Sequence, residues 1–434
     1  MVSTSMGSPE VCNIKLTTVV PATQSGENKV TELTDMDLEM KLHYIQGVYF
    51  FTSEAVEGLT PKDLKGPLFP CLTLFFTASG RVRRSETGRP FIKCNDSGIR
   101  IVEADCDQTI EEVLATKEHS FHSTLAYTQV LGPELAFSPL VIIQFTRFKC
   151  GGMCVGLSWA HVLGDAFAAT AFMNMWGQIL SGHAPPKCLH APIPRKPKFP
   201  PTIPNKSIPT LKRVDPVGDC WLTANNCKME TNYFQVTEEQ LEQMVAKARA
   251  VAKASHFEVL SAIIWKYLSG IRERETRIVT ICTTNSHNRE NEYPTNDMVL
   301  STVEADFSVA KADISELAEL IAKKKVEENE EMVEIENGEA DYIAYGANLT
   351  FVNLEEANIY GLELKGNRPA FANYAINGVG DEGVVLVLPG PINGKGEGDG
   401  RDGLVVTMVL PENQLPLLIN KLERDWNMVS IVKD

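Results

Sequence analysis

The stretch Met153-Cys-Val-Gly-Leu-Ser-Trp-Ala-His161-Val-Leu-Gly-Asp165-Ala-Phe-Ala-Ala-Thr-Ala-Phe-Met-Asn-Met-Trp-Gly-Gln-Ile-Leu180 decides how the chain is read. From Met153 to Trp159 it is uncharged and largely apolar, as a strand covered on both faces must be. From Ala166 to Leu180 it changes to Ala, Phe and Met without a β-branched cluster, the composition of a helix packed on several sides. A short turn joins the two and carries one imidazole and one carboxylate. Strand, turn and helix in this order predict an α/β fold with its chemistry at the strand end.

His161 sits where a general base works. Near its ordinary pKa of ~6.5 an imidazole takes a proton from a hydroxyl attacking an activated carbonyl. The alternative is a core histidine hydrogen-bonded to backbone. Asp165 directly precedes the helix, so its carboxylate is read as an N-cap or one half of an ion pair rather than a proton carrier. Gly156-Leu-Ser158-Trp-Ala160 departs from the GxSxG nucleophile elbow at its last position, and no serine hydrolase is expected. Cys150 and Cys154 lack a second ligand pair and are read as two buried strand thiols, not a zinc site. With no HExxH, GxGxxG or Walker loop, neither a metal nor a permanently bound cofactor is expected.

Further strands are expected at His43–Phe51, Pro139–Phe148, Ile278–Cys282, Val299–Val303, Asn348–Val352, Val384–Leu388 and Leu404–Leu410. Thr109–Thr116 reads as helix. Helix starts are marked by Thr237 with Gln240, Ser255 with Glu258, and Asp313 with Glu316, the last helix running into an acidic stretch from Glu327 to Glu339. Between Pro185 and Pro216 lie ten prolines, which admit neither helix nor central strand. From Lys187 to Arg213 the segment carries seven basic residues and no acid. It divides the chain into an N-terminal domain 1–184, a crossover 185–222 and a C-terminal domain 223–434, with a site expected in the cleft between them.

The chain has 434 residues, 44% hydrophobic and 22% charged, long enough for two or three globular domains. Its net charge of −15 repels nucleic acid, and no nucleic-acid role is expected. Ten cysteines without a CxxC or a dense framework are expected as reduced thiols in the cytosol. No export signal precedes the first strand, and no apolar stretch reaches the ~20 residues of a membrane span. A soluble chain without a transmembrane segment is expected.

His161-Val-Leu-Gly-Asp165 resembles the HxxxD element of the plant BAHD acyltransferase family. Phe76-Thr-Ala-Ser-Gly-Arg81, Ile92–Gly98 through Val102-Glu-Ala104, and Ser255–Trp265 resemble further family segments, together spanning most of the length from Ile14 to Leu422. The resemblance implies two chloramphenicol-acetyltransferase-like domains, each a mixed β-sheet with helices, joined by the Pro-rich crossover. It implies acyl-CoA as donor, His161 as the base, and Asp165 as structural support paired with a second-domain arginine, for which Arg289 is the choice. Thr350-Phe351 would take the place of the family's Ser/Thr-Trp pair, making Thr350 an oxyanion donor.

The chain also departs from the family. Ile376-Asn-Gly378-Val-Gly380-Asp-Glu382 is set against DFGWGKP and keeps only its two glycines, so the usual ion pair is not expected. Tyr293-Pro-Thr-Asn296 stands for the YFGN element. With Met36–Tyr44, Phe148–Gly152 and Tyr345–Asn353, the pattern is similar to the eceriferum or glossy subgroup. That subgroup implies an accessory role in cuticular wax synthesis at the cytosolic face of the endoplasmic reticulum. There the partners would be the condensing enzyme of the fatty acid elongase and very-long-chain acyl-CoA. The alternative is an acyl-CoA-dependent O- or N-acyltransferase.

Overall fold

The Met153–Ala160 strand is buried along its whole length. In the computed structural model, which describes residues 10–115, 121–128, 137–190, 210–214, 225–248, 254–284, 292–327, 341–392 and 402–428, it lies inside a six-stranded sheet. The spatial order is Val11–Val19, Ile99–Cys106, Val141–Phe148, Met153–Ala160, Tyr44–Phe51 and Phe371–Asn377. All neighbours run antiparallel except Ile99–Cys106 with Val141–Phe148. The helix Ala166–Leu180 follows the central strand directly, with ten of its residues buried. That explains its lack of a polar face.

A second six-stranded sheet has the order Met229–Val236, Leu404–Pro411, Val384–Pro389, Leu349–Asn353, Ile278–Thr284 and Met298–Glu304. Leu349–Asn353 runs parallel to both of its neighbours. Its residues alternate between two cores, as the period of a strand requires. Phe351 belongs to the core that holds Leu260, Ile264 and Trp265 of the helix His256–Ile271, whereas Val352 belongs to the core that holds the first sheet. The capping boxes expected at Thr237 and Ser255 both form. The acidic stretch beyond Glu327 lies outside the described residues.

The division of the sequence does not map onto the two sheets at one point. Within the expected second domain, Phe371–Asn377 pairs along its length with Tyr44–Phe51 and becomes the edge of the first sheet. Of the crossover, residues 191–209 and 215–222 lie outside the described residues, and Lys212–Val214 pairs with Asp341–Ile343. Just beside that pairing, Lys41 Nζ meets Asp341 Oδ1 at 2.5 Å with both side chains 6% exposed. The strip that leads to Tyr345 is therefore fastened to the N-terminal half.

One sequence reading changes. Cys150 is exposed on a turn while Cys154 is buried in the strand, so they are not a pair of buried thiols. Arg368 Nε and Glu363 Oε1 form a partly exposed pair at 3.2 Å ahead of the strand Phe371–Asn377. Residues 378–382 do different work: Asp381 accepts from the backbone and side-chain nitrogens of Asn226, and Glu382 pairs with Arg272 at 2.8 Å.

Candidate functional site: a histidine held between two halves

The central strand ends in a single tight turn, His161–Leu163, whose backbone is fixed by His161 N donating to the His43 carbonyl at 3.0 Å. Gly164 follows at φ 148°, where a Cβ would meet Thr295 N at 2.9 Å. Only glycine lets the turn press so closely on the opposite segment. Trp159 Nε1 donates to the Gly164 carbonyl at 2.9 Å and closes the corner.

Asp165 is the N-cap of the helix, its Oδ1 accepting from Phe167 N and Ala168 N at 3.1 and 3.2 Å. Its other oxygen accepts from Asp297 N at 3.1 Å, and Asp165 N donates to the Thr295 carbonyl. The carboxylate thus caps a helix of one half and holds a strand entry of the other. Arg289, expected as its ion partner, lies outside the described residues. Asp165→Ala should cost about 2–4 kcal/mol, the sum of a lost cap and a stranded buried amide. Asp165→Asn, still a capping residue, should lose less than half of that; equal urea midpoints for the two variants would contradict this account.

His161 is 1% exposed. Its Nδ1 lies 3.0 Å from Asn296 Oδ1, and its Nε2 lies 3.0 Å from the Tyr345 hydroxyl. Asn296 Nδ2 donates to Asp37 Oδ1 at 2.8 Å and to the His161 carbonyl at 2.9 Å, which leaves its oxygen to face the ring. The network therefore assigns the proton to Nδ1 and the lone pair to Nε2. Nε2 is the nitrogen that would serve as base, and Tyr345 already donates to it. Burial holds the imidazole below its ordinary value of 6.5, with Asp165 and Asn296 pulling the other way. Burial also pushes the Tyr345 phenol well above 10, so its proton stays on oxygen.

The cavity beside His161 is bounded by Phe167, Cys282, Met298, Tyr345, Val352 and Leu354 and offers about 10 Å³ to the centre of a water molecule. That is room for about one water. Thr350 is fully buried, donates its hydroxyl to the Asn348 carbonyl at 2.9 Å and accepts from Gly346 N at 3.3 Å. The structure brings His161 and Asp165 into one turn, and it engages the Thr350 hydroxyl within its own loop. Ser158 lies inside the strand, not on a turn. Asn296 and Tyr345 have no role that the sequence alone assigns. No spacing rule places residues 135 and 184 positions away against one imidazole. Among the described residues no three His, Cys, Asp or Glu side chains converge as metal ligands, and no helix is long and apolar enough to cross a membrane.

This architecture is found in known proteins. The crystal structure of vinorine synthase superposes with a TM-score of 0.65, covering 97% of this chain and 98% of that one at 16% identity. The Fusarium sporotrichioides TRI101 structure, complexed with coenzyme A and T-2, gives 0.63 over 92% of this chain and 98% of that one at 13% identity. At such identities the likeness shows the fold alone. In sequence, the chain is 42% identical to Protein ECERIFERUM 2 of Arabidopsis thaliana over 95% of this chain and 97% of that protein. Protein ECERIFERUM 26 of the same plant is 36% identical over 94% of each. The sequence profile of the Transferase family matches residues 10–424, and the chain belongs to that family.

Proposed function

We propose that this protein is an accessory component of the very-long-chain fatty acid elongase in cuticular wax synthesis, using an acyltransferase scaffold as a docking body. In this reading it associates with the condensing enzyme at the cytosolic face of the endoplasmic reticulum and shapes the handling of very-long-chain acyl-CoA. Near full-length similarity to ECERIFERUM 2 and ECERIFERUM 26 supports the pathway. The observation that carries the accessory role is the occupied Nε2 of His161, which faces the Tyr345 hydroxyl at 3.0 Å. A transferase needs that nitrogen free to take the proton of the acceptor.

The test is a reconstituted elongase assayed for product chain length with wild type and with His161→Gln. The substitution should leave chain extension within about twofold, since no proton transfer is removed. Loss of extension in a variant that still folds and co-purifies with the condensing enzyme would overturn the reading. The second reading, acyl transfer from acyl-CoA to an alcohol or amine with His161 as base, rests on the preserved strand, turn and capped helix around the ring.

A further inference from the structure

We propose that Tyr345 fills the acceptor position of a latent acyl-transfer site, so that His161 is kept silent by a phenol supplied by its own chain. The inference concerns the isolated protein and does not depend on the elongase partner.

Its basis is the direction of one hydrogen bond. An alcohol about to attack a thioester must donate its hydrogen to the lone pair of the base, within ordinary hydrogen-bond distance. Tyr345 makes that contact: its hydroxyl lies 3.0 Å from Nε2, the nitrogen left bare by the Asn296 contact at Nδ1. The ring itself is enclosed, 1% exposed, with its centroid 4.9 Å from that of His43 and 5.5 Å from that of His161. Its backbone is equally fixed. Tyr345 N and Ala344 N both donate to His43 Nε2, and the Tyr345 carbonyl accepts from Gly380 N. The hydroxyl also donates toward Met298 Sδ at 3.1 Å, so its one hydrogen is shared between Nε2 and this weaker thioether acceptor. A phenol held this way excludes an incoming alcohol by occupying both its space and its hydrogen-bond partner.

Removing the ring would vacate a site of matching chemistry, one for a small phenol. In Tyr345→Ala supplied with phenol and a short-chain acyl-CoA, the phenol oxygen attacks the thioester carbonyl and its proton passes to His161 Nε2. The new C–O bond forms as the C–S bond breaks, and the proton leaves with coenzyme A as its thiol. The products are a phenyl ester and free coenzyme A, with no oxidant or further reactant required.

The experiment measures thermal stability and phenyl ester formation for wild type, Tyr345→Ala and the double variant Tyr345→Ala with His161→Gln, each with and without phenol. Phenol should raise the melting temperature of Tyr345→Ala and not that of wild type. Ester should form only in that single variant, and the double variant should lose it by about a hundredfold. A folded Tyr345→Ala that neither gains stability from phenol nor makes ester overturns the proposal. Should the alanine variant fold only when phenol is present, that rescue supports it. Tyr345→Phe provides the arm that survives a failure to fold: the Nε2 resonance of His161 should move toward that of an unbonded lone pair. An unchanged resonance there overturns the proposal.

Discussion

Between pH 6.5 and about 3 the protein should lose on the order of 5 kcal/mol of stability to the single buried imidazole of His43, whose pKa is lowered across that interval. His43 is fully buried just before the Tyr44–Phe51 strand. Its Nε2 accepts from Ala344 N at 3.1 Å and Tyr345 N at 3.3 Å. The hydrogen therefore sits on Nδ1, which points toward the Asn377 and Gly378 carbonyls without closing a full hydrogen bond. A second proton would have to go on Nε2, against two backbone donors, in a site where His161 also opposes a positive charge. Burial lowers the pKa first, and His161 adds to it.

The sign follows from linkage. Below pH 6.5 the unfolded chain takes up a proton at this ring while the folded chain does not until about 3, so acid favours unfolding through the whole interval. Above 6.5 the group contributes no slope, and below the folded value the slope again vanishes. Urea midpoints measured every half unit from pH 7.5 to about 4.5 should show a His43 contribution of about 1.4 kcal/mol per pH unit. His43→Gln should remove that contribution and leave the remainder, part of which belongs to His161 with its lowered pKa. Parallel slopes for variant and wild type would show that His43 is not held neutral by this contact. The expected order of events is also specific: the 344–346 loop should part from the N-terminal half before the sheets melt.

Local pattern made most of the elements legible, whereas the assembly of the site was not. The buried strand Met153–Ala160, the helix Ala166–Leu180 and the capping boxes at Thr237 and Ser255 appear where composition and spacing put them. In each the decisive contacts are a few residues apart, so a one-dimensional reading sees them. Phe371–Asn377 is buried over six of its seven residues and pairs with a strand more than three hundred positions earlier. Hydrophobic runs can suggest a strand but not its partner. The site fails for the same reason. His161 and Asp165 share one turn and could be singled out together, while Asn296, Tyr345 and His43 arrive from three other segments. Even the family likeness directed attention to the imidazole as a free base. The Tyr345 hydroxyl that faces its Nε2 at 3.0 Å belongs to no general motif.

Gly346→Ala should be among the most damaging single methyl additions, costing about 3–5 kcal/mol. Two penalties coincide there. Gly346 has φ +86°, a region that costs an L-residue about 1–2 kcal/mol. An added Cβ would also lie 2.4 Å from Gly380 O and 2.6 Å from Gly380 N. Those atoms cannot yield, because Gly380 N donates to the Tyr345 carbonyl at 2.9 Å and Glu382 N to the Gly346 carbonyl at 3.3 Å. Gly366 supplies the control. It has a similar φ of +77° but nothing within 4 Å of its Cβ position, so Gly366→Ala should lose only the conformational part, about 1–2 kcal/mol. Equal losses in the two variants would mean that the crossing of loops 346 and 380 is not a tight contact. A larger loss at Gly346 carries a second consequence. The crossing holds the Tyr345 backbone in register with His43, and Tyr345 in turn covers His161. Gly346→Ala should therefore leave His161 more open to modification by diethyl pyrocarbonate than it is in wild type, whereas Gly366→Ala should not.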